Sequence, residues 1–251
     1  MLNESEKFNI QDQQYLFPYH YIPHFDQKGT VTLTRKLSWG LDYLCYQKHL
    51  HEKVVALNPS SVLEVGCGDG YFVGGLPTSV KERVGVDLSE KAIAFAKAFH
   101  PECDFRVQDA AEMHESYEVV AAIEVIEHIP EEILPRFLNA LADRVCTNGV
   151  VIISVPTTVI PLNKKHYLHY TLELLEKQLE ESGCCLEVES HEYVYYKPWW
   201  FKLFSRFFDN GLFSFEFKPF MRYAWNQVWN KYRFATKDNG FHLVVVLKKT
   251  K

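Results

Sequence analysis

The chain has 251 residues, a formal net charge of −5 and a hydrophobic content of 47%. Its length suits one large domain with an elaboration, and its apolar content supports a real core, so disorder is not expected. The acidic balance argues against a surface that coats nucleic acid. Six cysteines without a CxxC pair, a polar opening segment and no apolar run of about 18 residues predict reduced, mostly buried thiols and a cytoplasmic location.

Residues 1–58 are predicted to form an aromatic arm followed by a helix. The segment YLFPYHYIPHF, residues 15–25, places aromatic residues between two prolines. From about residue 33 to residue 57, apolar side chains recur near helical spacing. They are Leu37, Leu41, Leu44, Cys45, Leu50, Val54 and Val55. Asn58 and Pro59 end this helix.

The core is predicted within residues 59–192, where strands alternate with helices. In chain order the elements are a strand at 62–66, a short helix near 70–76, a strand at 83–87, a helix at 90–99, strands at 104–108 and 117–124, a helix at 131–142, a strand at 150–155, a helix at 171–181 and a strand at 185–191. Ser89 and Thr171 are predicted helix N-caps, and Gly183 a helix end. This alternation predicts an α/β fold with a doubly wound, mostly parallel sheet.

The chain after residue 192 departs from this alternation. Residues 193–235 are rich in tryptophan and phenylalanine and are interpreted as an insertion between two adjacent strands. Residues 236–251 contain the final strand, at 241–247.

The first predicted strand runs into a glycine turn, SVLEVGCGDGY, with glycines at alternate positions 66, 68 and 70. In an open α/β sheet, ligands bind beyond the carboxyl ends of the strands. The turn lacks the GxGxxG spacing that places a diphosphate on a helix N-terminus. Instead Glu64 and Asp69 supply carboxylates on either side. This arrangement weighs against a dinucleotide and favours a positively charged ligand.

Two further carboxylates follow the next strands. Asp87 ends the second strand, where a carboxylate can accept both hydroxyls of a ribose. Asp109 follows the third strand, and could accept from the exocyclic amine of adenine while the amide of Ala110 donates to a ring nitrogen. Together with the glycine turn, these residues describe an adenosine attached to a positive group. The plainer alternative is that Asp87 and Asp109 only cap helices or turns.

The segments VLEVGCGDG, VGVDLS, QDAAE and EVIEHI resemble class I S-adenosylmethionine-dependent methyltransferases, in the correct order over roughly residues 60–155. The resemblance implies a Rossmann-like, seven-stranded sheet whose last strand is antiparallel, and S-adenosylmethionine as the cofactor. It implies that the cofactor lies against Glu64, Gly66, Cys67, Gly68, Asp69, Gly70, Asp87, Leu88, Asp109, Ala110 and Glu124.

In that family the turn after the fourth strand, here EVIEHIP, faces the methyl group. Glu124 and His128 are therefore the candidate catalytic residues, and His128 suits a general base because an ordinary histidine pKa lies near neutrality. Downstream, KKHYLHYT supplies His166 and His169 as candidate acceptor-binding residues.

The ExxEH pattern with a later histidine also resembles metal-dependent O-methyltransferases, including small-RNA 2′-O-methyltransferases and enzymes that act on ubiquinone precursors. The implied ligands are Glu124, Glu127, His128 and His166. A Mg²⁺, Mn²⁺ or Zn²⁺ ion there would lower the pKa of an acceptor hydroxyl. The alternative is a metal-free site in which His128 touches the substrate.

Two aromatic segments lie outside the resemblance to the core. Such arms and insertions commonly close over the site in this family. Tyr15, Phe17, Tyr19, His20, Tyr21 and His24 would then form a lid, with Tyr19 and His20 near the acceptor, or else a structural brace. Residues 199–232 predict two amphipathic helices that pack on the domain and line a pocket, or that contact a membrane surface or a second copy.

We therefore expect a methyltransferase that acts on an oxygen of a small-molecule acceptor, as a monomer or a homodimer. Three alternatives stay open. They are a metal-dependent 2′-O-methyltransferase of RNA ends, which the acidic charge disfavours, a non-catalytic partner subunit that binds S-adenosylmethionine, and an oxidoreductase that uses a dinucleotide.

Overall fold

The computed structural model describes residues 6–7, 9–10, 24–25, 31–32, 37–208, 210, 212, 215 and 217–250. Five residues of the expected lid, Tyr15, Phe17, Tyr19, His20 and Tyr21, lie outside these ranges. His24 is described only as part of a strand.

The strands are β1 (His24–Phe25), β2 (Val31–Thr32), β3 (Ser61–Val65), β4 (Glu82–Asp87), β5 (Asp104–Val107), β6 (Tyr117–Ile123), β7 (Val145–Pro156), β8 (Leu186–Val194), β9 (Phe234–Ala235) and β10 (His242–Lys249). Strands β1 and β2 form a small antiparallel hairpin in the arm. The other eight form one sheet in the order β5-β4-β3-β6-β7-β10-β8-β9.

The helices are α1 (Leu37–Ala56), α2 (Tyr71–Gly74), α3 (Glu90–Phe99), α4 (Leu134–Arg144), α5 (Leu172–Ser182), α6 (Phe201–Phe208) and α7 (Lys218–Gln227). Short 3₁₀ turns span Ala110–Glu112 and Ile126–His128, and a π-helical turn spans Val228–Tyr232. Residues 6–7 and 9–10 are also helical. Within the described ranges, none of these helices combines the length and apolarity needed to cross a bilayer.

The sheet confirms the expected doubly wound architecture. Strands β3 to β7 pair in parallel, and β10 lies antiparallel between β7 and β8. The sheet gains an eighth strand because β9 adds a two-residue pairing to β8 at the edge. Since β8 and β10 are direct neighbours, the chain that connects them adds no strand between the two, and β9 pairs with the other edge of β8.

The structure contains the capping contacts expected at the predicted helix ends. Ser89 Oγ accepts from the amide of Ala92 at the start of α3, and Thr171 Oγ1 accepts from that of Leu174 at the start of α5. Gly183 ends α5 with φ +64°. These three predictions are confirmed.

Among the strands and helices of the core, two begin three or more residues away from the predicted start. Helix α4 begins at Leu134 rather than at residue 131, because Pro135 occupies its first turn, where proline is favoured. Strand β7 begins at Val145, so Asn148 and Gly149 lie inside a strand and not in a turn. The β6–β7 register shifts at this point, and a Cβ at Gly149 would lie 2.5 Å from the Glu118 carbonyl oxygen. The glycine thus allows a bulge where two strands approach closely.

The apolar side chains of the sheet form two buried clusters. On α1, Leu41, Cys45, Leu50 and Val54 are buried, whereas the expected core positions Leu44 and Val55 are exposed. The prediction of mostly buried cysteines was also wrong. Only Cys45 and Cys67 are buried, three others are half-buried and Cys185 is exposed.

Candidate functional site

A cavity of about 290 Å³ lies at the carboxyl ends of β3, β4 and β6, where an open α/β sheet binds its ligands. Six carboxylates line it, from Asp42, Glu64, Asp69, Asp87, Glu124 and Glu127. Its other polar lining residues include His128, Lys165, His166 and His242. An acidic lining of this kind favours a ligand that carries positive charge.

Gly66, Gly68 and Gly70 have φ angles of +75°, +55° and +79°. Side chains are strained in this left-handed region. A Cβ on Gly66 would lie 2.6 Å from the side chain of Val125, and one on Gly70 would lie 2.6 Å from the ring of Phe105. The fold itself therefore requires glycine here, in addition to any ligand that lies against the turn.

Asp87 fixes the glycine turn to the end of β4. Its carboxylate accepts from the amide of Gly68 at 2.9 Å and from that of Ser89 at 2.8 Å. Glu64 is buried and accepts from the amide of Val73, within α2, at 3.1 Å. Burial raises the pKa of Glu64 well above its ordinary value, and the nearby charges of Asp69 and Asp87 add to the shift. We call Glu64, residues 66–69 and Asp87 the glycine-turn half of the cavity.

Four residues predicted to lie against the cofactor, Gly70, Leu88, Asp109 and Ala110, are outside the cavity lining. Asp109 and Ala110 are the two that were expected at the adenine. Leu88 is exposed and Ala110 is buried. Asp109 accepts from the amide of Ala111 at 2.9 Å and from the guanidinium of Arg136 at 2.8 Å. In this structure Asp109 therefore caps the 3₁₀ turn. This is the alternative role that the sequence offered for Asp109, in place of a contact with adenine.

Glu124 belongs to a polar chain that the sequence did not indicate. It has φ +55°, and its Oε1 accepts from Ser154 Oγ at 2.7 Å and from His242 Nδ1 at 3.1 Å. His242 also donates through Nε2 to Asp42 Oδ1 at 2.9 Å. The chain thus joins α1, β10 and the end of β6 across the cavity floor.

The two carboxylates hold His242 in its charged form. Burial alone would lower the histidine pKa, but Glu124 and Asp42 raise it to about 10. In turn, although burial opposes ionisation of Glu124, the charge and hydrogen bond of His242 lower the pKa of that carboxyl. At neutral pH the polar chain of Asp42, His242 and Glu124 is therefore an imidazolium between two carboxylates.

Glu127, His128 and His166 form a compact cluster, with one potential ligand atom from each within 4.8 Å of the others. Glu127 is buried, and its Oε2 has no hydrogen-bond partner among the described residues. Burial raises the pKa of Glu127 well above its ordinary value, and the charge of Glu124 raises it further. We call these three residues the histidine half of the cavity. The predicted ligand Glu124 is not in this cluster, because His242 and Ser154 bind its carboxylate.

Backbone acceptors define which nitrogen of each histidine is protonated. His128 donates through Nδ1 to the Lys165 carbonyl at 3.3 Å. His169 donates through Nδ1 to the Ile160 carbonyl at 3.1 Å, so its Nε2 accepts from His166 Nδ1 at 2.8 Å. His128 and His166, when neutral, therefore both keep an unprotonated Nε2, the state that binds a metal.

His128 departs from the ordinary histidine pKa on which its candidacy as a general base depended. Burial lowers its pKa to about 3, and burial likewise lowers that of His166 to about 3. Both rings are neutral at pH 7, and such a low pKa makes His128 a weak proton acceptor. His169 lies behind His166, so the structure places it as a support for that ring.

The loop that carries these histidines is fixed from two sides. The amide of Tyr167 donates to the Glu127 carbonyl at 2.8 Å. From the N-terminal segment, Lys7 Nζ donates to the His166 carbonyl at 2.9 Å and lies 3.4 Å from the centre of the Tyr167 ring. A lone lysine in a polar segment gives no sequence signal for this contact, and reasoning from the sequence missed it.

The family described as "Methyltransferase domain" matches residues 45–187, more than half of the chain. A "Probable S-adenosylmethionine-dependent methyltransferase" of Mycolicibacterium smegmatis is 30% identical over 138 residues, which cover 51% of this chain and 52% of that protein. A "Ubiquinone biosynthesis O-methyltransferase" of Dechloromonas aromatica is 31% identical over 140 residues, which cover 50% of this chain and 58% of that protein. The chain thus spans about half the length of these curated relatives.

Among solved structures, magnesium protoporphyrin IX methyltransferase of Synechocystis PCC 6803, with bound S-adenosylmethionine, superposes with a TM-score of 0.61. The match covers 100% of this chain and 99% of that one, at 14% identity. At this identity the likeness concerns the fold, which is Rossmann-like in both proteins.

Proposed function

This chain belongs to the methyltransferase-domain family, and we propose that it transfers a methyl group from S-adenosylmethionine to an oxygen of a small-molecule acceptor. One observation carries the proposal. A single acidic cavity joins the glycine turn after β3 to the cluster of Glu127, His128 and His166 after β6. A nucleoside donor and an acceptor could therefore meet inside it.

The glycine-turn half suits the donor. Asp87 already orients its carboxylate through two backbone amides, and it borders the cavity at the end of β4. We assign it to the ribose hydroxyls, and Gly66, Gly68 and Asp69 to the methionine part. When bound, S-adenosylmethionine supplies an electrophilic methyl group on a positively charged sulfur. The acidic lining favours that charge, and this attraction weakens once the methyl has left and the sulfur is neutral.

The histidine half suits a divalent cation and an oxygen acceptor. Glu127 offers a buried carboxylate oxygen without a partner among the described residues. His128 and His166 each offer Nε2, with Nδ1 held by an acceptor. These three groups fit Zn²⁺ or Mn²⁺ better than Mg²⁺, which prefers oxygen ligands. An ion bound there would make an acceptor hydroxyl more acidic and hold it in position.

Methyl transfer to oxygen also requires that the acceptor lose a proton. The low pKa of His128 makes this imidazole a poor acceptor for it, so we assign His128 to holding and orienting groups in the cavity. Glu124 stays ionised through His242, but its lowered pKa makes it a weak proton acceptor as well. An ion that makes the acceptor hydroxyl more acidic would ease the loss of this proton.

The acceptor class rests on the size of the site and on the relatives. A cavity of about 290 Å³ accommodates a small molecule more readily than a polynucleotide, and the chain carries a net charge of −5. The relative from Dechloromonas aromatica is named an O-methyltransferase. A cytoplasmic location remains a prediction.

Calorimetry with S-adenosylhomocysteine tests donor binding, and a panel of phenols, catechols, carboxylic acids and a 2′-hydroxyl RNA end tests the acceptor. We expect binding and turnover on a hydroxyl of a small molecule. Turnover on the RNA end alone would favour the RNA alternative. Binding without any turnover would favour a partner subunit, and binding of NADH in place of S-adenosylhomocysteine would overturn the proposal.

Metal removal tests the cation separately. If an ion assists the reaction, treatment with EDTA abolishes turnover while S-adenosylhomocysteine still binds, and added Zn²⁺, Mn²⁺ or Mg²⁺ restores it. Turnover that is unchanged by the chelator would limit His128 and His166 to contacts with the acceptor.

A further inference from the structure

Helix α6 carries apolar side chains on two faces, and among the residues that the structure describes only one of these faces is buried. Phe201 and Phe204 are buried in the core, and Phe204 stacks on Phe220 of α7 with ring centres 4.3 Å apart. These contacts attach α6 to the domain.

The other face is a stripe of large apolar side chains in solvent. Trp199, Leu203 and Phe207 follow one another at intervals of four residues, and they are 80%, 61% and 58% exposed. Trp199 directly precedes the helix, and its spacing continues the same face. We call these three residues the α6 stripe. Beyond the helix, Leu212 is 92% exposed, so large exposed apolar residues continue along the chain.

Positive charge accompanies this apolar surface. Lys202 and Arg206 are exposed, and on a helix of 3.6 residues per turn they lie beside the α6 stripe. Residues 197–233 contain seven lysines and arginines against two acidic residues, although the whole chain is negative at −5. The cations are thus concentrated in the segment that exposes its apolar side chains.

We propose that the α6 stripe docks on the surface of an anionic lipid bilayer. Tryptophan, leucine and phenylalanine on one helix face, flanked by lysine and arginine, are the features of a helix that lies in the plane of a membrane interface. The apolar side chains would enter the boundary between headgroups and acyl chains, and the flanking cations would contact anionic headgroups. This choice of occupant rests on charge, because a second copy of this chain would bring another cationic face against the first.

Vesicle co-sedimentation of the full chain tests this proposal. One set of vesicles contains phosphatidylcholine alone, and the other contains phosphatidylcholine and phosphatidylglycerol in equal parts. We expect the wild type to sediment with the anionic vesicles at low salt and to be released as added salt screens the charges.

Two sets of variants separate the apolar and the charged contributions. Trp199→Ser, Leu203→Ser and Phe207→Ser combined should lower partitioning more than about 100-fold, because three large side chains lose their burial. Lys202→Glu with Arg206→Glu should lower it at least about 25-fold. The matched controls are Val55→Ser, Leu57→Ser and Phe99→Ser for exposed apolar residues elsewhere, and Lys81→Glu with Lys177→Glu for exposed lysines elsewhere. They should partition like the wild type.

Thermal unfolding and affinity for S-adenosylhomocysteine, measured on every variant, verify the fold. The proposal is overturned if wild-type protein stays in the supernatant with both vesicle types. It is equally overturned if the control sets lower partitioning as much as the test sets, or if light scattering shows a dimer that only the triple serine variant dissociates.

Discussion

The two halves of the cavity differ in how the protein satisfies their carboxylates. In the glycine-turn half, Glu64 and Asp87 accept backbone amides from Val73, Gly68 and Ser89. In the histidine half, Glu127 is buried with an oxygen that lacks a hydrogen-bond partner within the described chain. Buried polar atoms are rarely left in this state without a role. The contrast therefore concerns Glu64 and Asp87, whose carboxylates are oriented by backbone amides as folded, and Glu127, whose open oxygen is where we propose that a ligand binds.

Glu127→Gln should have the largest effect. The amide keeps the shape of the side chain but cannot ionise to bind a cation, so we expect turnover to fall by about 100-fold, as when a metal site loses support. The affinity for S-adenosylhomocysteine should change little, since Glu127 lies in the other half. Steady-state kinetics and calorimetry measure the two effects, with exposed Glu131→Gln as the control. A loss of donor affinity as large as the loss of turnover would remove the distinction between the halves.

The same variant has a second, pH-dependent readout. Because burial raises the folded pKa of Glu127 above its ordinary 4.5, its carboxyl favours folding in the protonated form. That advantage is lost as the pH rises above 4.5 toward the folded pKa. Glu127→Gln should therefore gain stability relative to the wild type with rising pH, as measured by thermal unfolding without added metal.

Asp87→Ala should weaken donor binding in the glycine-turn half. It removes the proposed contact with the ribose pair and two bonds to backbone amides, so the affinity for S-adenosylhomocysteine should fall more than about tenfold. Asp87→Asn, which retains one acceptor oxygen, should lose less. Asp104→Ala, an exposed acidic residue on the neighbouring strand, is the control. Unchanged affinity in calorimetry would count against the assignment of this half.

His242→Gln tests the polar chain that joins the halves. Because the folded pKa of His242 is raised from 6.5 to about 10, its stabilisation is complete below pH 6.5 and is lost as the pH rises through about 10. The variant should therefore melt several degrees below the wild type near pH 6, since about 1 kcal/mol corresponds to about 2–4 °C for a chain of this size. The gap should close toward pH 10. His191→Gln, which is exposed, should show no such trend, and a gap independent of pH would contradict the charged state.

Asp109→Ala should have the smallest effect on the donor. Its carboxylate is held by Ala111 and Arg136, so we expect donor affinity to fall by about threefold or less, the scale of a partly exposed hydrogen bond. Calorimetry beside Asp87→Ala makes the comparison direct. A loss equal to that of Asp87→Ala would show that Asp109 turns toward the adenine when the donor binds.

Local patterns made much of the fold predictable. The strand ends, the caps at Ser89 and Thr171 and the glycine turn are each encoded within about ten residues, and the resemblance supplied the order of the motifs. The start of β7 was not predictable in this way. Asn148-Gly149 has the composition of a turn, and only the approach of Glu118 on β6 requires a bulge there.

The contacts of the site were less predictable than its residues. The sequence placed Glu127, His128 and His166 in one predicted metal site, but that prediction also included Glu124. That side chain is bound by His242, which lies 118 positions away and whose other partner, Asp42, is 200 positions from it. No local sequence pattern predicts either contact. The lowered pKa of His128 likewise depends on burial that only the folded chain defines.

A crystal grown with S-adenosylhomocysteine and Mn²⁺, with anomalous data at the manganese edge, tests the contrast between the halves most directly. We predict the nucleoside against the glycine-turn half, with its ribose at Asp87, and one anomalous peak bounded by Glu127, His128 and His166. A nucleoside bound elsewhere, or a histidine half that shows neither the ion nor any other ligand beside Glu127, would contradict the account.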